Sequence, residues 1–345
     1  MAEPFVNKAE FQPEKRPVIR VKSDLEKLDG SYEDLDIELL PDGKPKAVVF
    51  FDVDKTLVRF RSVYREAISK LFPQEPDKDK LFEVYESNFQ LGSSRGEMIR
   101  MKGIYLDGRE DWIDSKVYEE EYFSKHRGEI NHPGHELYDV AGDFLRKFDD
   151  LASGQIVKEY KQDPKSFESI KIRPIYHLAE IYKRLGIPMV CMSANPGKFI
   201  EAACKYLGLS EYFIDSASDW DVDGDKEYKI QYLIGELEKK DIKVPYDRLI
   251  IVGDSIKGDI GSGLRFKDMK KDQENVNIKG LLVVENQNAL AAAEEKVRND
   301  TQLQKLVKEF DVKAVQLDKV SFSSVDGKPR LSSHYQNDFM KDMKI

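Results

Sequence analysis

The chain has 345 residues, 40% of them hydrophobic and 34% charged: enough apolar material for a packed core, and too much for global disorder. Fifty-five basic against 64 acidic side chains leave a net charge of −9, which argues against a mainly electrostatic grip on nucleic acid or anionic lipid. Its two cysteines, Cys191 and Cys204, are too few for a disulfide scaffold or a cysteine-built metal site and read as buried small hydrophobes in a reducing compartment.

Met1-Ala2-Glu3-Pro4-Phe5 lacks the basic-then-apolar layout of a secretion signal. No apolar run approaches the roughly 18 residues needed to cross a bilayer. A soluble, cytoplasmic protein without a membrane partner is expected.

Residues 1–44 are polar and mixed in charge, ending in the turn-like Pro41-Asp42-Gly43-Lys44-Pro45. They read equally as an amino-terminal arm or as a strap over the core. Lys46-Ala47-Val48-Val49-Phe50-Phe51 then forms an apolar run without alternation, the pattern of a parallel-sheet strand covered on both faces. It stops at Asp52-Val53-Asp54.

Residues 61–166 read as a helical insertion. Val63, Ala67, Ile68 and Leu71 lie at helical spacing before Pro73, and Leu81, Phe82, Val84, Tyr85 and Phe89 make a second face. Strand–helix alternation returns afterwards. A helical stripe from Ile175 to Leu185 ends at Gly186. Ile187-Pro188-Met189-Val190-Cys191-Met192 is a second apolar strand, ending at Ser193, and Pro196 marks the next helix start. Residues 230–237 make another helix. Leu249-Ile250-Ile251-Val252 is a third strand, ending at Gly253-Asp254, and Lys279 to Val284 a fourth. Residues 289–308 should be helical, residues 312–320 can add a strand, and the tail is polar.

Strands separated by helices imply right-handed crossovers and a doubly wound parallel, Rossmann-like α/β sheet. The expected division is an arm (1–44), an α/β core (45–60 and 167–320), a helical insertion (61–166) and a carboxyl tail (321–345). Ligands of such sheets bind beyond the carboxyl ends of the strands. Three strands deliver Asp52 and Asp54, Ser193, and Asp254 to that edge. Carboxylates clustered there suit a hard divalent cation such as Mg2+, which takes oxygen ligands and keeps several waters. An adjacent hydroxyl and lysine complete what phosphoryl transfer requires.

Lys46 to Leu57, with its Asp52-x-Asp54-x-Thr56, resembles the first motif of the haloacid dehalogenase superfamily. Met189 to Asn195 resembles the second, and Leu249 to Ser255 followed by Asp259 the fourth. The resemblance covers roughly 46–60 and 172–285, and it implies that the helical insertion between the first and second motifs is a helical cap domain (61–166). It implies Asp52 as nucleophile, Asp54 as general acid and then base, and Thr56 as orienting the loop and Asp54. Ser193, with Asn195 and its neighbouring amides, would bind the phosphoryl oxygens. Asp52, Asp54 through its carbonyl, Asp254 and Asp259 would hold the metal. The third-motif lysine is read as Lys229, at the opening of its helix, with Lys226 three residues earlier as the alternative, and it would neutralise charge between nucleophile and phosphate. Asp54 favours phosphate esters over carbon–halogen bonds. Arg59 is near enough in sequence to greet an anionic substrate, as is Arg95 within Gly92-Ser93-Ser94-Arg95-Gly96.

The implied activity is a magnesium-dependent phosphatase for a small-molecule phosphate ester, working through an aspartyl-phosphate on Asp52. A phosphomutase using the same intermediate, or a scaffold that kept the fold, are the alternatives. Asp219, Asp221, Asp223 and Gly224 open like a calcium loop, but Ile230 stands where its bidentate glutamate belongs, so they read as an acidic solvated turn. His132 and His135 lack a third ligand and read as a loop. Oligomeric state is not legible.

Overall fold

The computed structural model describes residues 16–87, 93–219, 221–222, 225–270, 275–309, 312–318, 322–325 and 328–331. Phe89, Gly92, Asp223, Gly224, His334 and the tail beyond residue 331 lie outside the described residues. The chain opens with β1 (Val18–Glu26), β2 (Tyr32–Glu38) and β3 (Val48–Asp52). Helices α1 (Arg61–Leu71), α2 (Lys78–Glu86), α3 (Ser94–Leu106), α4 (Ser115–Tyr118), α5 (Ser124–Asn131), α6 (Glu136–Gln162) and α7 (Pro164–Glu168) follow. Then come α8 (Arg173–Arg184), β4 (Met189–Met192), α9 (Gly197–Leu207), β5 (Ser216–Ala217), α10 (Lys226–Lys239) and β6 (Leu249–Gly253). The chain continues through α11 (Gly261–Lys270), β7 (Ile278–Val284), α12 (Gln287–Asn299), α13 (Thr301–Glu309) and β8 (Val312–Gln316), and the antiparallel pair β9 (Phe322–Val325) and β10 (Lys328–Leu331) is the last among the described residues.

Six strands make one parallel sheet in the order β5-β4-β3-β6-β7-β8. Every residue of β3, β4 and β6 is buried, which explains their unbroken apolar runs: successive side chains point to opposite faces, and both faces are covered. Val49 and Phe51 enter one core with α8, α9 and the insertion helices. Val48 and Phe50 enter the other with α10 and α11. Cys191 and Cys204 are buried free thiols. Among the described residues no helix is long and apolar enough to cross a membrane.

Of the amino segment left open as arm or strap, β1 and β2 form a hairpin lying on the core. Val21, Leu35 and Ile37 pack against Val190 and Ile214, and Asp24 N donates to Ile214 O at 2.7 Å. At Gly186, with φ of 61°, the hairpin passes so closely that an added Cβ would lie 2.5 Å from Glu38 N. Only glycine satisfies both the left-handed backbone and that approach.

The helical insertion joins the core by two linkers that hydrogen-bond to each other: Arg59 N to Ile170 O at 2.9 Å and Ile172 N to Leu57 O at 2.7 Å. Inside it, the fully buried guanidinium of Arg100 donates to Trp112 O, Ile113 O and Ser87 Oγ, tying α3 to the loop after it. The long α6 lies along α1 and α9. The amino end of α9 follows Pro196 and has no side-chain cap of its own. Asp149 of α6, 2% exposed, accepts from Phe199 N at 2.6 Å and Lys198 N at 3.3 Å and fills that place.

Asp149→Ala should therefore lower stability by about 1–2 kcal/mol, since it removes the acceptor of the buried Phe199 amide and of the Lys198 amide. Denaturant unfolding would read this, and an unchanged midpoint would contradict the capping role.

Candidate active site

The strand order reverses between β3 and β6: the chain builds outward through β4 and β5, then returns to the other side of β3. The crevice beyond this reversal is where ligands of open α/β sheets bind. Asp52 ends β3, Ser193 follows β4 and Asp254 follows β6, so three neighbouring strands deliver their polar ends to that one place.

Asp52 is 4% exposed. Its Oδ2 accepts from Thr56 Oγ1 at 3.1 Å and its Oδ1 from Lys226 Nζ at 2.5 Å. The structure thus joins Thr56 to Asp52, not to Asp54 as the sequence reading had it. The tight turn after β3 aims the hydroxyl there: Leu57 N and Val58 N both return to Val53 O, and Lys55 takes a left-handed φ of 58°.

One oxygen each of Asp52, Asp254 and Asp259 lies within 4.8 Å of the others. Asp259 sits in a π-helical turn, Ile256–Ile260, where Ser255 N donates to its Oδ2 at 2.8 Å. Gly253 makes this possible, since an added Cβ there would lie 2.3 Å from Asp259 Cβ. Ser193 is 1% exposed and its Oγ accepts from Asn195 N at 3.0 Å.

Asp54 lines the same cavity. It accepts hydrogen bonds from Tyr64 and from the backbone of Lys55 and Phe60. Asn195 lines the cavity too, and its Nδ2 donates to Tyr64 Oη at 3.0 Å.

Lys226 and Lys229 of α10 both reach the cavity, but they do different work. The helix begins at Lys226, a turn before the apolar face at 230–237. Lys226 Nζ bridges Asp52 and Asp259. Lys229, 1% exposed, pairs instead with Asp219 at 2.7 Å. Asp219 is accordingly a largely buried partner and not part of a solvated turn. Arg59 lies elsewhere: it is half exposed, pairs with Glu285 at 3.2 Å and borders a separate surface hollow with Arg61 and Arg65.

The insertion lines the cavity with Ser93, Ser94, Arg95, Glu97 and Asn131. Ser94 Oγ donates to Ala194 O, and Arg127 pairs with Asp225 at 3.1 Å, so the insertion is tied to the loops after β4 and before α10. Sequence reasoning passed over Lys55, Tyr64, Glu97 and Asn131. None belongs to a spaced motif, and all but Lys55 reach the site only through the fold of the insertion.

Burial pushes the carboxyls here upward. Asp52 rises to about 7, with Lys226 opposing and Asp259 adding to the rise. Asp54 rises to about 6, opposed by Lys55 and Tyr64. Glu97 rises to about 8, opposed by Lys55. Asp254 moves well up through burial and its neighbours Asp259 and Asp52. Unfolded carboxylates titrate near pH ~4. Above that, and up to the raised folded values, the native chain keeps protons that the unfolded chain has lost, so stability falls as pH rises. In chelator-containing buffer the melting temperature should therefore decline between about pH 5 and about pH 8. A melting temperature that rises through this window would contradict the buried-carboxylate electrostatics.

The comparison with curated proteins finds no match. Among solved structures with a similar fold are YfnB, a candidate HAD-hydrolase from Bacillus subtilis bound to magnesium (13% identity, 69% of this chain and 88% of that one, TM-score 0.40), and a haloacid dehalogenase-like family protein from Streptococcus pneumoniae (13%, 79% and 95%, 0.41). CbbY from Rhodobacter sphaeroides in complex with phosphate is another (15%, 69% and 85%, 0.36). The sequence profile of haloacid dehalogenase-like hydrolases matches residues 46–267, a span that takes in every strand of the site and the whole insertion. The chain belongs to the haloacid dehalogenase-like hydrolases.

Proposed function

We propose that this hydrolase is a magnesium-dependent phosphatase of small phosphate monoesters, with Asp52 as the nucleophile and the insertion as its cap. The observation that carries the reading is the meeting of Asp52, Asp254 and Asp259 within 4.8 Å, in a cavity that also holds Asp54, Ser193 and Lys226. The donors that Asp52, Asp254 and Asp259 offer are all hard oxygens. That fits a divalent cation such as magnesium. Held by Asp52, Asp254 and Asp259, the ion would draw charge from the phosphoryl oxygens. The backbone carbonyl of Asp54 is a fourth candidate ligand, by the family resemblance.

In the first step a carboxylate oxygen of Asp52 forms a bond to phosphorus as the ester oxygen leaves, and Asp54 gives that oxygen its proton. In the second, Asp54 takes a proton from water, the water oxygen bonds to phosphorus, and the Asp52 carboxylate departs. Thr56 and Lys226 fix Asp52 beforehand. Lys226, Ser193 and the amides after it would hold the phosphoryl oxygens. Lys229 lines the cavity wall from its pair with Asp219, and Asn195 serves Tyr64. The cavity, about 170 Å³, is smaller than the roughly 300–1,000 Å³ of drug-sized sites, which suits a small ester. A cytoplasmic location belongs to the same proposal.

Hydrolysis of an aryl phosphate and a panel of metabolite phosphates tests this. Asp52→Asn should lower kcat by at least about 10³-fold, and chelation should abolish turnover. Lys226→Met should cost roughly 10²-fold or more in kcat, while Lys229→Met should act first on folding, by leaving Asp219 buried without its partner. Turnover surviving Asp52→Asn would contradict the covalent scheme, and phosphate passed to a second hydroxyl of the substrate would mark a mutase.

A further inference from the structure

Tyr64 stands on α1 of the insertion and is 2% exposed. Its ring is packed on all sides by aromatic neighbours from both bodies. Phe60, Tyr85 and Phe148 lie at 5.9, 5.9 and 5.8 Å between centroids, and Phe199 of the core helix α9 at 5.5 Å. The ring cannot turn away without disturbing that cluster, so the hydroxyl is held in place.

The hydroxyl has one proton to give. Asn195 Nδ2 donates to Tyr64 Oη at 3.0 Å, which fills an acceptor site and leaves the Tyr64 proton for the Asp54 carboxylate. Asn195 is fixed in turn: its amide donates to Ser193 Oγ at 3.0 Å, and its carbonyl accepts from Asp219 N at 3.1 Å. A chain of hydrogen bonds therefore runs from the loop after β4, through a side chain of the insertion, to the acid of the β3 turn.

We propose that Tyr64 is the positioning residue for Asp54, pinning one carboxylate oxygen so that the other faces the leaving oxygen, and thereby making proton donation depend on a seated insertion. The proposal rests on the phosphatase reading above. The Tyr64 proton is not transferred at any step: Asp54 gives its own proton to the ester oxygen and regains one from water. Tyr64 contributes geometry, because a general acid acts only within hydrogen-bond reach of the atom it protonates.

Leaving-group chemistry isolates this role. A nitrophenolate departs without needing a proton, whereas an alkoxide does not. Because kcat/KM reports the steps through departure of the leaving group, it can be compared for p-nitrophenyl phosphate and an alkyl phosphate in wild type, Tyr64→Phe, Asn195→Ala and Asp52→Asn. Tyr64→Phe keeps the packed ring and should lower kcat/KM for the alkyl ester about 10–100-fold, with the aryl ester changing by less than about 3-fold. Asn195→Ala, which keeps the hydroxyl but frees its rotation, should show the same selectivity in smaller degree. Equal losses on both esters, or none, would overturn the positioning role while the Asp52 dependence stood. Turnover retained by Asp52→Asn, or absent from wild type on both esters, would instead overturn the phosphatase reading and this role with it.

Discussion

Three carboxylates held within 4.8 Å of one another at the ends of adjacent buried strands are the constraint on which the rest of the site depends. Such a cluster is costly, because each charge is desolvated and repelled by the next. The chain meets the cost locally. Lys226 bridges Asp52 and Asp259, Thr56 and the Ser255 amide donate to individual oxygens, and the remaining carboxyls hold protons more tightly than they would in water. The absence of a side chain at Gly253 is as much a part of the site as the charges, since Asp259 occupies the space a Cβ would need.

The insertion completes the site instead of merely covering it. Ser94 reaches the carbonyl of Ala194, Arg127 pairs with Asp225 at the start of α10, and Tyr64 joins Asn195 and Asp54. Each tie ends on a loop that carries a residue of the site, and Asp149 caps the helix leading away from Ser193. These contacts therefore couple the seating of the insertion to the arrangement of the polar ends of β3 and β4.

The sheet was legible because strands covered on both faces must be apolar throughout, and β3, β4 and β6 announce themselves by runs such as Val48 to Phe51. Parallel connections then bring Asp52, Ser193 and Asp254 to one edge, as the structure shows. The sequence reading favoured Lys229 over Lys226, whereas it is Lys226 that meets Asp52. They lie one turn apart on the same helix, and what separates them is Asp219, whose burial beside Lys229 follows from how the β5 loop folds back. Thr56 was read as serving Asp54 because sequence spacing does not encode which way a turn aims a hydroxyl. Arg59 is close to Asp54 in sequence, yet the linker carries it out to Glu285. Tyr64 shares a helical face with Val63, Ala67 and Ile68, so its sequence position reads as ordinary core, and only the fold shows its hydroxyl against a carboxylate.

The most direct test of the central claim is to quench a single turnover in acid with a labelled phosphate ester and map the label by peptide mass spectrometry. The account predicts one phosphoryl group on the peptide bearing Asp52, acid-stable and absent from Asp52→Asn. Phosphate released with no phosphorylated peptide at any time point, or label on another residue, would contradict it.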